Sequence, residues 1–179
     1  MSDTPFEVTD EIETGDMSDV QADLLPAASK VLFVIKKVSV DSVPLSKEDK
    51  TPVLKKIRLQ AKLVDGVEVA GESKYKGKVS FIDLTVWHSP EHKTSQWYTS
   101  RKYLLPYKQF IIGMGYDAKQ SPKINDELLS SWVDREFRAD IKQVPIQAEE
   151  VVTDDEGNQT KKWVDTSDLK NEYRNFRAA

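Results

Sequence analysis

The sequence contains no cysteine, which excludes disulfide bridges and thiolate metal sites. That composition fits a reducing compartment, and a cytoplasmic location is the expectation. Histidine occurs only twice, as His88 and His92. A spacing of four suits a zinc pair on a helix, but Pro90 stands between them and no third ligand is evident. Two exposed loop histidines and no metal are therefore expected.

Long apolar runs are also missing. None approaches the roughly 20 residues that span a bilayer, and the acidic N-terminus has no apolar stretch of the kind a signal peptide needs. A soluble protein without a membrane partner is expected. There is no phosphate-binding loop of the Walker type and no Gly-x-Ser-x-Gly elbow. Asp83 stands out as a carboxylate inside an apolar strand. It is a candidate catalytic acid, but such a residue more often points outward from a half-buried strand. Nothing assembles nucleophile, base and oxyanion donor, so the chain is read as a non-enzyme without a cofactor.

What is present is an uneven distribution of charge. The 179 residues carry a net charge of -4. Residues 1–29 hold eight acids and no Lys or Arg, while residues 30–145 hold 21 basic and 14 acidic residues. Residues 146–179 return to an acidic balance, with 8 acids against 5 bases. An acidic arm thus precedes a basic body, and a polyanionic partner is compatible with that body despite the overall charge. Residues 1–29 lack the apolar content to pack and are read as a flexible arm. It is either a solubilising tail, a mimic of a polyanion on the basic surface, or a contact for a partner. Residues 30–179 are read as one domain.

Within that domain the periodicities are mainly those of strands. Val31 to Val40 forms a β-branched and aromatic run. Residues 41–52, with Pro44 and Pro52, read as a loop. In the next segment Ile57, Leu59, Ala61 and Leu63 alternate with Lys56, Arg58, Gln60 and Lys62, which predicts a core face backed by a row of cations. A loop bounded by Gly71 and Gly77 precedes a third strand, from Lys78 to about Trp87. Residues 95–116 read as helical, with Pro106 opening a second helix and Gly113 and Gly115 as its stop. Asn125 caps a short helix over 126–131. Val133, Phe137, Ala139 and Ile141 alternate with Glu136, Arg138, Asp140 and Lys142, until Pro145 breaks the strand. Residues 146–153 and 159–165 flank a turn with Gly157-Asn158, a hairpin signature. Leu169, Tyr173 and Phe176 share one face of a predicted C-terminal helix. Trp132 and Phe137 are assigned to the core.

The fold expected from this order is mainly β: an OB-like barrel of five to six strands, partly closed, with one intervening helical segment. Binding a nucleic acid single strand requires cations along the backbone and aromatic faces for the bases. Both occur together here. Lys55, Lys56, Arg58 and Lys62 lie on the cationic strand. Lys74, Tyr75, Lys76 and Lys78 alternate charge with a ring, and Gly77 lets a ligand approach the backbone. Trp87 ends a strand, and Trp97 and Tyr98 sit near Arg101. These twelve residues form the candidate interface, with Tyr75, Trp87 and Trp97 as stacking rings. The plainer alternative is a solvated lysine face with tryptophans in the core.

In this order of elements the chain resembles small bacteriophage single-stranded DNA-binding proteins with an OB-like fold. The likeness runs from the strand Lys30-Val31-Leu32-Phe33-Val34-Ile35, through Ile57-Arg58-Leu59-Gln60-Ala61 and Gly77-Lys78-Val79-Ser80-Phe81, to the Leu104–Gly115 helix. It continues in Phe137-Arg138-Ala139-Asp140-Ile141 and Leu169-Lys170-Asn171-Glu172-Tyr173. The resemblance implies an accessory of phage replication or recombination that coats single-stranded DNA in the host cytoplasm. The acids lie at the N-terminus, whereas many such proteins carry a partner-recruiting acidic tail at the C-terminus. In this reading the N-terminal arm would contact a replication or recombination protein. RNA as a ligand and an oligomeric assembly both stay open. The competing expectation is a structural or assembly protein whose barrel and arm dock on protein partners.

Overall fold

The alternating segments pair into one large antiparallel sheet. A computed structural model describes residues 24–92 and 96–179. Its main sheet contains β1 (Ala28–Pro44), β2 (Pro52–Leu63), β5 (Val79–His88), β6 (Glu136–Thr153) and β7 (Gln159–Ala178), in the order β5-β2-β1-β6-β7. The short strands β3 (Val67–Val69) and β4 (Glu72–Lys74) form a separate ribbon between β2 and β5. The helical segment between β5 and β6 comprises α1 (Gln96–Thr99), α2 (Leu105–Gly113) and α3 (Asp126–Trp132).

The chain is thus mainly β, with few helices. Among the described residues no ladder joins β5 to β7, so the sheet is not closed there by backbone pairing. Its outer strands nevertheless both turn side chains into the one core, Ser80 from β5 and Tyr173 and Phe176 from β7. Helix α2 packs against both β7 and β5. The close approach to β7 requires a glycine: a Cβ on Gly113 would meet the Arg177 backbone at 2.7–2.8 Å.

The core follows the period-two pattern. Val31, Phe33 and Ile35 of β1, Ile57, Leu59 and Ala61 of β2, and Phe137, Ala139 and Ile141 of β6 are all buried. Pro106 opens α2, which inserts Tyr107, Phe110 and Ile111 into this layer. The Phe110 ring meets Trp132 edge-on at 5.1 Å and Phe137 at 5.5 Å, and Phe33 stacks on Phe137 at 5.4 Å. Trp132 and Phe137 are core residues, as their patterns predict. Asn125 caps α3 by accepting from the Leu128 N–H at 2.8 Å.

Several expectations need correction. Residues 168–176 are not a helix but part of β7. Tyr173 lies opposite Ile141, and an irregularity lets Arg138 face Arg177 while Asp140 faces Arg174. Asn175 takes a φ of 54° within this bulge. The extra residue shifts the side-chain phase, so Tyr173 and Phe176, three apart, both serve the core and imitate helical spacing. Pro145 does not end β6, which passes through a second irregularity between Pro145 and Gln147. Proline is accommodated in strands at such bulges. The loop over 41–52 contracts to a turn, since β1 runs to Pro44 and β2 starts at Pro52. Val133 lies outside β6 and is exposed.

The packed body also begins before residue 30. Leu25 is 1 % exposed. Its N–H donates to Asn171 Oδ1 (2.8 Å), and its carbonyl accepts from Gln143 Nε2 (3.0 Å) and Asn171 Nδ2 (2.8 Å). Residues 1–23 of the acidic arm lie outside the described residues. Among the described residues no helix is long and apolar enough to cross a membrane.

Candidate nucleic-acid interface

Burial of Ile57, Leu59 and Ala61 forces their neighbours Lys56, Arg58, Gln60 and Lys62 onto the other face of β2. Register places three strands in rows across that face. Lys37, Gln60 and Phe81 form one row, Ser39, Arg58 and Asp83 the next, and Asp41, Lys56 and Thr85 a third. Lys62 stands between Val34 and Val79 in the row beyond Phe81. This outer face therefore does collect the cations that the alternation of β2 predicts.

Half of that charge is neutralised on the spot. Asp83 accepts from Lys56 Nζ at 2.6 Å and from Arg58 Nε and Nη2 at 2.8 and 2.9 Å. Arg58 also pairs with Asp41 at 3.3 Å. Burial pushes the Asp83 carboxyl up, but the hydrogen bonds and charges of Arg58 and Lys56 outweigh it and hold the group below the usual carboxylate range. Asp83 points outward, as strand geometry favours, and carries no proton to donate near neutral pH. Lys56 and Arg58, expected to hold phosphate, are occupied by carboxylates.

The other half of the face is open. Phe81 is 61 % exposed, an apolar ring presented to solvent on the edge strand β5. Lys37 and Lys62, both exposed, stand in its own row and in the row beside it. This is the pairing of ring and cation that a stacked base with a phosphate on either side requires. Neither Lys37 nor Phe81 belongs to the set read from the sequence. Phe81 shares the phase of Asp83 two residues on, so the outward carboxylate was the available signal. Lys37 is displaced by a bulge between Ile35 and Lys37, which simple alternation cannot foresee.

The remaining candidates fall at the two ends of these strands. At the Lys62 end, Leu63 donates its N–H to the Lys78 carbonyl (3.0 Å), and its own carbonyl accepts from Gly77 N–H (2.8 Å). The turn with Lys74, Tyr75, Lys76 and Lys78 is thereby tied to the ladder. Tyr75 and Gly77 both take positive φ, 64° and 76°. Lys78 Nζ lies 5.4 Å from the centre of the Tyr75 ring, and Lys74 stands 3.9 Å from Glu72. At the opposite end, Lys55 pairs with Trp87 and places its ammonium 5.3 Å over the indole. A register step between Lys55 and Lys56 breaks the alternation there, so Trp87 does not follow the phase of Phe81 and Asp83. Lys55 and Lys62 are about 23 Å apart along the strand, seven residue rises.

Two candidates, Tyr98 and Arg101, are not part of this arrangement. Tyr98 packs against His88 with ring centres 4.0 Å apart and lies 6.0 Å from Tyr103. Arg101 lines a different surface, a groove beside α2. The side chain of Trp97 lies outside the described residues. The histidines also differ from expectation. His88 ends β5 and is buried, with Nδ1 3.0 Å from the Ser89 carbonyl. His92 sits half-buried with Nδ1 3.1 Å from Ser89 Oγ.

No protein-family model matches the sequence, and no curated protein matches it.

Proposed function

We propose that this protein binds single-stranded DNA without catalysis, through the outer face of β1, β2 and β5 centred on Phe81. The observation that carries the reading is the exposed Phe81 ring with Lys37 and Lys62 around it. Strand order supports it. Numbered along the chain, the five strands of the main sheet pair as 3-2-1-4-5, the order of an OB-like barrel opened between its third and fifth strands. In OB folds the face of strands 2 and 3 is the one that binds oligonucleotides. Here those strands are β2 and β5. In the setting implied by the resemblance, the protein is a cytoplasmic accessory of phage replication or recombination, coating exposed strands.

Phosphate contacts release counterions, so binding must weaken as salt rises. A fluorescence-anisotropy titration of labelled oligothymidine, at about 50 and 200 mM salt, tests this. Saturable binding that falls with salt and exceeds binding to duplex is expected. No binding to the oligonucleotide at the lower salt would overturn the reading, and an RNA oligonucleotide in parallel sets its range.

The ion-pair network supplies a second prediction. Asp83→Asn removes the carboxylate shared by Lys56 and Arg58, which frees Lys56 for phosphate and leaves Arg58 with Asp41 alone. Affinity at low salt should rise by about five- to tenfold, and the salt dependence should steepen by about 0.7 for each new contact. Weaker binding by this variant would mean that the ordered network, and not its charge balance, serves the ligand.

A further inference from the structure

The β6–β7 hairpin continues beyond the body as a free ribbon, paired from Gln147–Asp165 to Thr153–Gln159. Every residue from 145 to 163 is exposed. A two-stranded ribbon is marginal in water, and this one holds large apolar side chains there. Trp163 is 64 % exposed, and Val151 and Val152 on the facing strand are exposed as well. Residues 146–168 carry seven acids and two bases. Such a ribbon repels a polyanion, so its tryptophan is not a stacking platform for nucleic acid. It suits a surface that combines apolar and cationic side chains.

The chain has such a surface elsewhere. Beside α2 lies a groove of about 600 Å³, lined by Leu104, Ile111 and Ile124 together with the exposed Arg101, Lys102 and Lys108. Residues 98–124 carry five bases and one acid. The volume lies within the range that accepts compact organic ligands. Within one chain the groove has no ribbon residue in its lining. Trp163 instead borders a separate hollow with Val144, Pro145 and Lys170.

We propose that the ribbon of one copy seats Trp163 in the α2 groove of a second copy, its carboxylates facing Lys102 and Lys108. Charge complementarity between the two surfaces selects a second copy as the occupant. The contact joins two different patches, so it closes as a reciprocal pair or a ring where the rotation between copies allows, and otherwise extends head to tail. Arg101, expected at the nucleic-acid interface, is assigned instead to this contact. The inference goes beyond DNA binding and stands without it.

Sedimentation velocity of the full chain, without nucleic acid, tests the proposal. Average mass should climb with concentration above that of a monomer, and fall as salt is added. Trp163→Ala should be monomeric, and so should the double variant Lys102→Glu with Lys108→Glu. Mixed together, these variants should form a one-to-one heterodimer and stop there, because one retains the groove and the other the ribbon. The heterodimer also certifies that both are folded. A wild type that stays monomeric at every concentration would overturn the proposal. So would Trp163→Ala associating like wild type, or two variants that unfold cooperatively on heating yet stay separate when mixed.

Discussion

Phe81→Ala should weaken oligothymidine binding by about five- to 150-fold, the equivalent of 1–3 kcal/mol for a lost base–ring stack. The side chain is 61 % exposed and leaves no cavity, so thermal stability should shift only slightly, by about 0.5 kcal/mol or less. The ring carries no charge, and the salt dependence of binding should therefore match wild type. Lys62→Ala separates the two contributions. It should lower affinity less, and flatten the dependence of log affinity on log salt by about 0.7. Anisotropy titrations of both variants across a salt series measure all of this. A Phe81→Ala protein with wild-type affinity would remove the central residue of the proposed face.

The largest expected loss of stability is at Asp140. Its carboxylate accepts from the Lys30 N–H at 2.8 Å, from Asn175 Nδ2 at 2.7 Å, and from the Arg177 guanidinium. Lys30 and Asn175 both occupy positive φ, 57° and 54°, at irregularities of β1 and β7. One side chain on β6 therefore holds the bulges of the strands on either side. Asp140→Ala leaves three donors without their acceptor and should cost about 2–3 kcal/mol. Urea unfolding should show a lower midpoint with an unchanged slope.

The same residue gives stability a pH dependence of definite sign. Burial pushes the Asp140 carboxyl up, but hydrogen bonds from Asn175 and Lys30 and the charge of Arg177 outweigh it, so its pKa is lowered on folding. The folded state then binds fewer protons than the unfolded chain. The contribution is complete above the unfolded carboxylate value, about 4, and is lost as the pH falls through the lowered value. Asp140→Asn should be less stable than wild type at neutral pH, with the gap closing on acidification. A gap that stays constant down to acid pH would contradict this account of the residue.

The parts of this fold that the sequence makes legible are those where one strand obeys strict alternation. β2 is the clearest case, and its core and outer faces are as its pattern requires. The helix at Leu105–Gly113, the Asn125 cap and the hairpin turn at Asp154–Asn158 were also visible, because Pro, Asn and Gly mark them locally. Bulges defeated the reading elsewhere. At Asn175 one inserted residue gives Tyr173 and Phe176 a helical spacing inside a strand. At Lys36 another moves Lys37 onto the face of Phe81. The fate of Lys56 and Arg58 was hidden for a different reason. Their partner Asp83 lies 25 residues from Arg58 in sequence, and only the β2–β5 register brings it across. The sequence signalled a cationic strand; pairing decided which of its cations remain available.

The central claim is that a single strand lies on the face around Phe81. Ultraviolet cross-linking of the wild-type protein to oligothymidine, followed by peptide mapping, locates the contact directly. Adducts should fall on the β5 segment that contains Phe81, and disappear in Phe81→Ala. Adducts confined to the ribbon around Trp163 or to the groove beside α2, with none on β5, would contradict it.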